Sequence, residues 1–279
     1  MISTGLFIDS ERASSWLDVF QDQRIMTGIS CKPELIVQKA IAERLVAANI
    51  QCVLLQETTS EDTESLYDLA ETANGVKPLH ANIYKTMNSA FKFAATTNFT
   101  LPFRLDRISE PDWPKHNQRL LDILLTLLSA PMPHDFTLQI PVQLPRPFPK
   151  SVELERALEL CERTSSNPKE RWDESYGITE MPPLLAKSSL SLCVHVHPDD
   201  NSMLDTFADS IPFESVSSIV FHYDIAAGET LFDDELLQWA DFLKLKSFNG
   251  NVIFNPVSCP DARIKEICDD ASAWAVMFS

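Results

Sequence analysis

The segment "IVFHYDIAAGETLFDDELLQWADFLKLKSFNGNVIFNP" (219–256) has the pattern of a complete strand–helix–strand unit. Residues 218–224 and 251–255 are short runs rich in branched aliphatic and aromatic residues, which are typical of buried strands. Residues 231–247 lie between them and carry apolar side chains at the spacing of an amphipathic helix. This order predicts two parallel strands that are joined by a crossover helix.

The same alternation extends along the whole chain of 279 residues. Strand candidates lie at 5–9, 25–31, 52–56, 100–106, 136–144, 191–197, 218–224, 251–255 and 274–278. Helical patterns lie at 11–21, 33–49, 60–73, 79–95, 115–129, 151–164, 201–209, 231–247 and 261–270. Repeated units of this kind predict an α/β fold, a (β/α)8 barrel of TIM type, as a single domain over 1–279. The ninth strand candidate indicates an extra terminal strand or an edge strand, and an open doubly wound sheet is the alternative fold.

Two segments interrupt or qualify this alternation. Residues 163–190 have no clear periodicity, and an irregular loop of this length fits either a lid over a ligand or a packed connection. Residues 119–130, "RLLDILLTLLSA", are apolar enough for a core helix or for a helix in the interface of a homo-oligomer. The sequence leaves both pairs of alternatives open.

The composition restricts the partners and the compartment that we expect. The net charge of −17 disfavours nucleic acid and anionic membranes, because these partners need clustered Lys and Arg. The start "MISTGLFIDS" lacks the basic and apolar regions of a signal peptide, and no run approaches the roughly 18–20 apolar residues of a membrane span. The 6 cysteines form no CxxC pair, which predicts reduced thiols and a cytoplasmic protein. No GxGxxG or GxxxxGK(S/T) motif is present, so we expect no nucleotide cofactor.

Polar side chains gather toward the C-terminal halves of the predicted strands. In a parallel barrel alternate residues face the lumen, and active sites form at the C-terminal ends of the strands. This phase turns His195 and His197 inward on one strand, and His222 and Asp224 inward on the next. The same phase places further polar residues inward, namely Arg104, Asp106, Gln139, Gln143 and Asn255, and Gln56 or Glu57 closes the third strand. We therefore predict a polar pocket for a small molecule at this end of the barrel.

The predicted pocket allows metal or acid–base chemistry. Imidazoles with a carboxylate suit Zn²⁺, Mn²⁺ or Fe²⁺ better than Mg²⁺, so His195, His197, His222 and Asp224 are candidate metal ligands. Without a metal, His222, Asp224 and His197 are candidate catalytic acids and bases near neutral pH. For each of these side chains the alternative is a hydrogen-bonded core position or a solvated strand end. The candidate substrate-binding residues are Arg104, Gln139, Gln143 and Asn255.

Residues 219–256 resemble the closing units of the xylose isomerase-like TIM barrels, the sugar phosphate isomerase and epimerase superfamily. The matching elements are "FHYD", "AAGE", "DELLQWADFLKLK", "FNG" and "NVIFN". The resemblance implies isomerase or epimerase chemistry on a sugar or a related polyhydroxy metabolite, assisted by a divalent metal at the C-terminal strand ends.

The chain departs from this family at its metal-ligand positions. The family usually has Glu at the end of the closing strand and on the fourth or fifth strand, where this chain has Asn255 and Gln139 or Gln143. Its Asp-and-His strand corresponds here to His195 and His197. An amide is a weaker ligand than a carboxylate, so these departures favour the alternative of a noncatalytic binding or assembly protein.

A second resemblance lies near the N-terminus. The segments "LFIDS" (6–10) and "TGISCKPELI" (27–36) look like the opening of transaldolase-type aldolase barrels. Gln139 stands where the Schiff-base lysine of that family would be, so the resemblance implies no aldolase mechanism here.

Overall fold

The computed structural model describes residues 2–8, 13–21, 28–48, 50, 52–56, 83–86, 88–92, 94, 96–101, 105–129, 136–144, 151–165, 188–197, 204, 211–224, 234–257 and 259–278. Within these residues, eight parallel strands form a closed barrel in chain order. They are β1 (Ser3–Ile8), β2 (Gly28–Cys31), β3 (Cys52–Gln56), β4 (Thr96–Thr100), β5 (Phe136–Gln143), β6 (Ser188–Val196), β7 (Val216–Asp224) and β8 (Asn251–Val257). The pairing of β1 with β8 closes the barrel, and the predicted TIM-type fold is confirmed.

Helices connect the strands and cover the outside of the barrel. They include α1 (Ala13–Gln21), α2 (Pro33–Ile36), α3 (Lys39–Ala47), α4 (Trp113–Ser129), α5 (Val152–Ser165), α6 (Asp234–Leu245) and α7 (Ile264–Val276). Residues 83–86 and 88–90, between β3 and β4, are helical as well. Short 3-10 helices lie at Leu105–Arg107, Phe213–Ser215 and Asp261–Arg263. No helix in this part of the chain has both the length and the apolar character that crossing a membrane requires.

The strands alternate between an outer and an inner row of side chains. Val194, Ile219 and Phe221 belong to the main core between barrel and helices, whereas Cys193 and Val220 belong to a separate cluster inside the lumen. The phase that was predicted for β6 and β7 is therefore confirmed at these positions. It follows directly from the two-residue period of a strand, because only the outer row can pack against the helices.

The predicted ninth strand, 274–278, is wrong. Residues up to Val276 belong to α7, and Met277 and Phe278 form a turn after it. The buried residues of α7 repeat at helical spacing through Ile264, Ile267, Ala271 and Trp274. The row of buried residues thus continues the helix predicted at 261–270, and the apolar run at its end is the last helical turn rather than an extra strand.

The fourth strand also differs from the prediction, which placed it at 100–106. It spans Thr96–Thr100 and pairs in register with Cys52–Gln56 of β3. Its sequence, "TTNFT", is mostly polar, so a search for apolar runs passes over it. Asp106 lies exposed on a 3-10 helix and does not face the lumen from a strand.

Several predicted elements fall partly or wholly outside the described residues. These include the helix at 60–73, parts of the helix at 79–95, residues 25–27 of the strand at 25–31, most of the helix at 201–209, and residues 166–187 of the irregular segment 163–190. The described ends of that segment belong to α5 and β6. The apolar helix at 119–130 is described to residue 129, and it buries Leu120, Leu124 and Leu127 in the core, which fits the core alternative.

Candidate functional site

Three polar side chains meet where β6, β7 and β8 end. These strands are neighbours in the barrel, and His222 of β7 lies opposite Asn255 of β8 in the register. His195 lies on β6 opposite Val220, one inward position before His222. All three side chains share the inward phase, so the barrel brings them together although they are far apart in the chain.

The three side chains form a row of hydrogen bonds. Nδ1 of His195 lies 2.8 Å from Nε2 of His222, and the two rings stack with centroids 5.1 Å apart. The amide nitrogen of Asn255 lies 3.0 Å from Nδ1 of His222. At the other end of the row, Nε2 of His195 lies 3.7 Å from the sulfur of Cys193. Both nitrogens of each buried imidazole therefore contact a protein partner.

His197 completes the histidine cluster on the solvent side. Its ring centroid lies 5.3 Å from that of His222, and its side chain is exposed where β6 ends. His195 and His222 are half-buried beneath it. We call the end of the barrel at which the strands terminate the C-terminal mouth. A small molecule that entered there would meet His197 before the other two imidazoles.

Burial keeps the two inner imidazoles neutral. Loss of solvation, together with the nearby His222 and His197, lowers the pKa of His195 from 6.5 to about 3. Loss of solvation and the neighbouring His197 lower the pKa of His222 to about 4. Both rings are therefore uncharged at neutral pH, and they act as hydrogen-bond donors and acceptors rather than as cations.

The lowered pKa values predict that acid destabilises the fold. In the unfolded chain these histidines titrate near pH 6.5, whereas the folded pKa values are about 3 and 4, so unfolding takes up protons as the pH falls below 6.5. We expect the free energy of unfolding to fall with decreasing pH in this window, by up to about 1.4 kcal/mol per pH unit for each histidine. Denaturant unfolding of the wild type at pH 7.0 and at pH about 5.5 measures the loss.

Two variants separate the contribution of these histidines to the pH dependence of stability from the contribution of the carboxylates. His195→Gln/His222→Gln should lose less stability over this pH range than the wild type, because the buried titrating groups are gone. His116→Gln, a change on helix α4 at the outside of the barrel, should keep the wild-type dependence. An unchanged dependence in the double variant would contradict the neutral buried pair.

The remaining predicted site residues lie in different places. Gln139 is fully buried deeper in the lumen, where its amide nitrogen donates to the hydroxyls of Ser217 and Ser218 at 2.6 and 2.8 Å. Gln143 is exposed at the end of β5, and Asp224 ends β7 opposite Val257. Arg104 and the side chain of Asp224 lie outside what the structure describes.

The polar interior extends further than the sequence analysis predicted. Cys52 donates to the amide oxygen of Asn251 at 2.9 Å, and Asn98 donates to the sulfur of Cys52 at 3.8 Å. Gln56, one of the two residues predicted to close the third strand, ends β3 and donates to the hydroxyl of Ser30 at 2.8 Å. These polar residues lie on the inward phase of their strands, so the two-residue alternation was the signal that could have identified the missed ones.

The described side chains do not fit a divalent metal. A ligating imidazole needs a free lone pair, but Nδ1 of His222 faces an amide donor and the nitrogens between His222 and His195 face each other at 2.8 Å. Among the described residues, no group of three or more His, Cys, Asp or Glu side chains is arranged to hold a metal. Asn255 contributes a neutral amide to the row, so it does not supply the anionic ligand that a hard cation favours.

Comparisons with known proteins identify relatives of the fold. No family model and no curated protein matches the chain. Among solved structures, 3-keto-D-glucoside 4-epimerase from E. coli aligns over 99% of both chains with a TM-score of 0.57 and 11% identity. D-psicose 3-epimerase aligns over 98% of both chains with a TM-score of 0.56 and 11% identity. D-psicose 3-epimerase from Clostridium cellulolyticum H10 aligns over 99% of this chain and 98% of its own, with a TM-score of 0.54 and 9% identity.

These likenesses show that the chain shares its barrel fold with solved sugar epimerases. The aligned structures are sugar epimerases, and the alignments extend over nearly the whole chain rather than over residues 219–256 alone. Identities near 10% carry no residue roles from one chain to another.

Proposed function

We propose that the C-terminal mouth of the barrel binds a neutral, sugar-like small molecule. The observation that carries the proposal is the row of uncharged hydrogen-bonding groups formed by His195, His222 and Asn255, with His197 exposed above it. Hydroxyl groups of a polyol can both donate to and accept from imidazole and amide groups. The likeness of the fold to sugar epimerases supports the same class of ligand.

The charges on the strands favour a neutral ligand over a phosphorylated one. None of the eight described strands carries Lys or Arg, and their one formally charged residue is Asp224. The lowered pKa values of His195 and His222 remove the positive charge that protonated imidazoles would offer to a phosphate. A polyhydroxy compound without phosphate is therefore the ligand that the barrel itself accommodates best.

The chemistry we propose is proton transfer beside a carbonyl group, as in isomerisation or epimerisation. His197 is the candidate group that accepts the proton, because its side chain is exposed at the mouth and its ring centroid lies 5.3 Å from that of His222. The amide of Asn255, which uses one of its hydrogens toward His222, would hold the ligand or orient its carbonyl by a further hydrogen bond. Asp224 remains a candidate for the second acid or base, and no step of this mechanism passes through a metal.

Binding without catalysis is the second candidate function. It is favoured by the state of His222, because both of its nitrogens already contact neutral partners and its pKa is lowered to about 4. Such an imidazole is a weak base at neutral pH. Under this alternative the mouth would recognise the same class of ligand but would not turn it over.

Exchange of carbon-bound hydrogen with solvent separates these two functions without knowledge of the product. The purified protein is incubated in D₂O with a panel of neutral ketoses and aldoses, and mass spectrometry follows deuterium at the carbon beside the carbonyl. We expect exchange with at least one sugar, and a loss of roughly 10²-fold or more in His197→Gln, which is typical of a lost general base. His116→Gln is the matched control and should retain the wild-type rate.

Two other outcomes of this experiment are informative. Wild-type exchange in His197→Gln would contradict the role of His197, and thermal stabilisation by a sugar without exchange would favour the binding function. Elemental analysis and chelator treatment of the same protein test the predicted Zn, Mn or Fe. Exchange that survives chelation would agree with the donor set described above, whereas exchange that requires an added metal would contradict the metal-free mechanism.

A further inference from the structure

The row Asn255–His222–His195 has a direction that its chemistry determines. An amide nitrogen carries two hydrogens and accepts no hydrogen bond, so the contact of 3.0 Å requires that Nδ1 of His222 is the acceptor. A neutral imidazole that accepts at Nδ1 carries its hydrogen on Nε2. The hydrogen on Nε2 of His222 points at Nδ1 of His195, 2.8 Å away, which must in turn be an acceptor.

The assignment extends to the far end of the row without conflict. If Nδ1 of His195 accepts, its hydrogen lies on Nε2, which faces the sulfur of Cys193 at 3.7 Å. A thiol sulfur is a weak acceptor, so this contact is satisfied as well. The opposite direction requires the amide of Asn255 to turn by 180°, so that its oxygen accepts from Nδ1 of His222. With the amide nitrogen of Asn255 turned toward His222, as in the structure, one assignment satisfies all three contacts.

From this geometry we propose that Asn255 is a positioning residue, which fixes His222 and His195 as Nε2-protonated tautomers that share one hydrogen between their rings. Asn255 acts through His222, and it disfavours a second proton on His222 because that proton would meet another donor. The two inner imidazoles then form a fixed neutral platform beneath His197. The tautomers follow from the contacts alone, whereas the consequence for a ligand rests on the proposed function.

Replacing Asn255 by aspartate tests this role with a nearly isosteric change. A carboxylate accepts hydrogen bonds and donates none, so the partner atom Nδ1 of His222 must then carry a hydrogen. This holds whether His222 stays neutral or becomes an imidazolium. Gln118→Glu is the matched control, because it makes the same change from amide to carboxylate at an exposed position of α4, outside the barrel.

The measurement is a long-range ¹H–¹⁵N correlation spectrum of protein with ¹⁵N-labelled histidine, recorded near neutral pH. In the wild type we expect protonated Nε2 and unprotonated Nδ1 for both His195 and His222, identified from spectra of single His→Gln variants. In Asn255→Asp, Nδ1 of His222 should become protonated, and in Gln118→Glu both tautomers should stay as in the wild type. A backbone amide spectrum of each variant confirms that the barrel remains folded.

Two results would overturn the proposal: protonated Nδ1 of His222 in the wild type, or an unchanged tautomer of His222 in Asn255→Asp. If the aspartate variant does not fold, Asn255→Ala replaces it and should give a mixture of His222 tautomers, because the donor is lost; a single unchanged tautomer there would also overturn the proposal. The expected tautomers together with no binding of neutral sugars would instead refute the proposed function and leave the role of Asn255 standing.

Discussion

Replacing Trp274 by alanine should lower the free energy of unfolding by about 3–5 kcal/mol, the range for large aromatic side chains in protein cores. Trp274 lies on α7 and is fully buried. Its ring meets that of Phe254 on β8 edge to face, with the two ring centroids 5.1 Å apart. Its centroid lies 6.3 Å from the ring centroid of Phe221 on β7. Helix α7 packs on β1, next to β8 where the barrel closes, so the cavity would open beside the pairing that completes the sheet.

Equilibrium unfolding in urea measures this effect. The matched control is Val276→Ala, two residues further along α7 and 52% exposed, which should cost less than about 0.5 kcal/mol. A loss below about 1 kcal/mol in Trp274→Ala would contradict the packing of α7 on the barrel. It would also reopen the possibility that residues 274–278 adopt another structure.

The second large effect is expected at Gly5. Gly5 of β1 pairs in register with Gly28 of β2, and both positions share the inward phase of the barrel. A Cβ atom on Gly5 would overlap the backbone carbonyl of Gly28 and lie 2.9 Å from its Cα. Backbone atoms in a paired strand cannot rotate away as a side chain can, so the two strands would have to separate.

We expect Gly5→Ala to destabilise the protein by at least about 3 kcal/mol, at the upper end of the range for overpacked interiors. Gly28→Ala is the matched control, because it adds the same methyl group across the same pair of strands. Its Cβ would lie 3.1 Å from the carbonyl oxygen of Thr4 and 3.3 Å from the hydroxyl of Ser3, contacts that small shifts relieve. Thermal unfolding of both variants gives the comparison, and equal losses would contradict the tight approach at Gly5.

The inside of the barrel below the candidate site consists of an apolar layer followed by a polar layer. Below the mouth, Leu54, Cys193, Val220 and Ile253 form an apolar layer inside the barrel. Gln139, Ser218 and Asn251 lie beneath this layer and are held by hydrogen bonds among themselves. Because these three groups are paired with one another, the row at the mouth and the exposed His197 are, among the described residues, the polar surface that a ligand would reach.

Most of the barrel could be predicted from the sequence because its signals are local. The alternation of strands and helices depends on residues within one segment, and so does the inward phase of His195 and His222. The errors arose where the local signal was ambiguous. The polar strand Thr96–Thr100 lacks an apolar run, and the last turn of α7 has apolar residues that also fit a strand.

The candidate site could be predicted as a set of residues but not as a chemical arrangement. The sequence by itself determined that three histidines and Asn255 lie on the inward phase at the ends of adjacent strands, because that placement follows from the strand period and the order of the units. Only the tertiary structure decided that His195 and His222 form a hydrogen bond with each other and that Asn255 donates a hydrogen bond to His222. Hydrogen-bond partners depend on distances between strands, and closing the barrel sets those distances through contacts distributed over the entire chain.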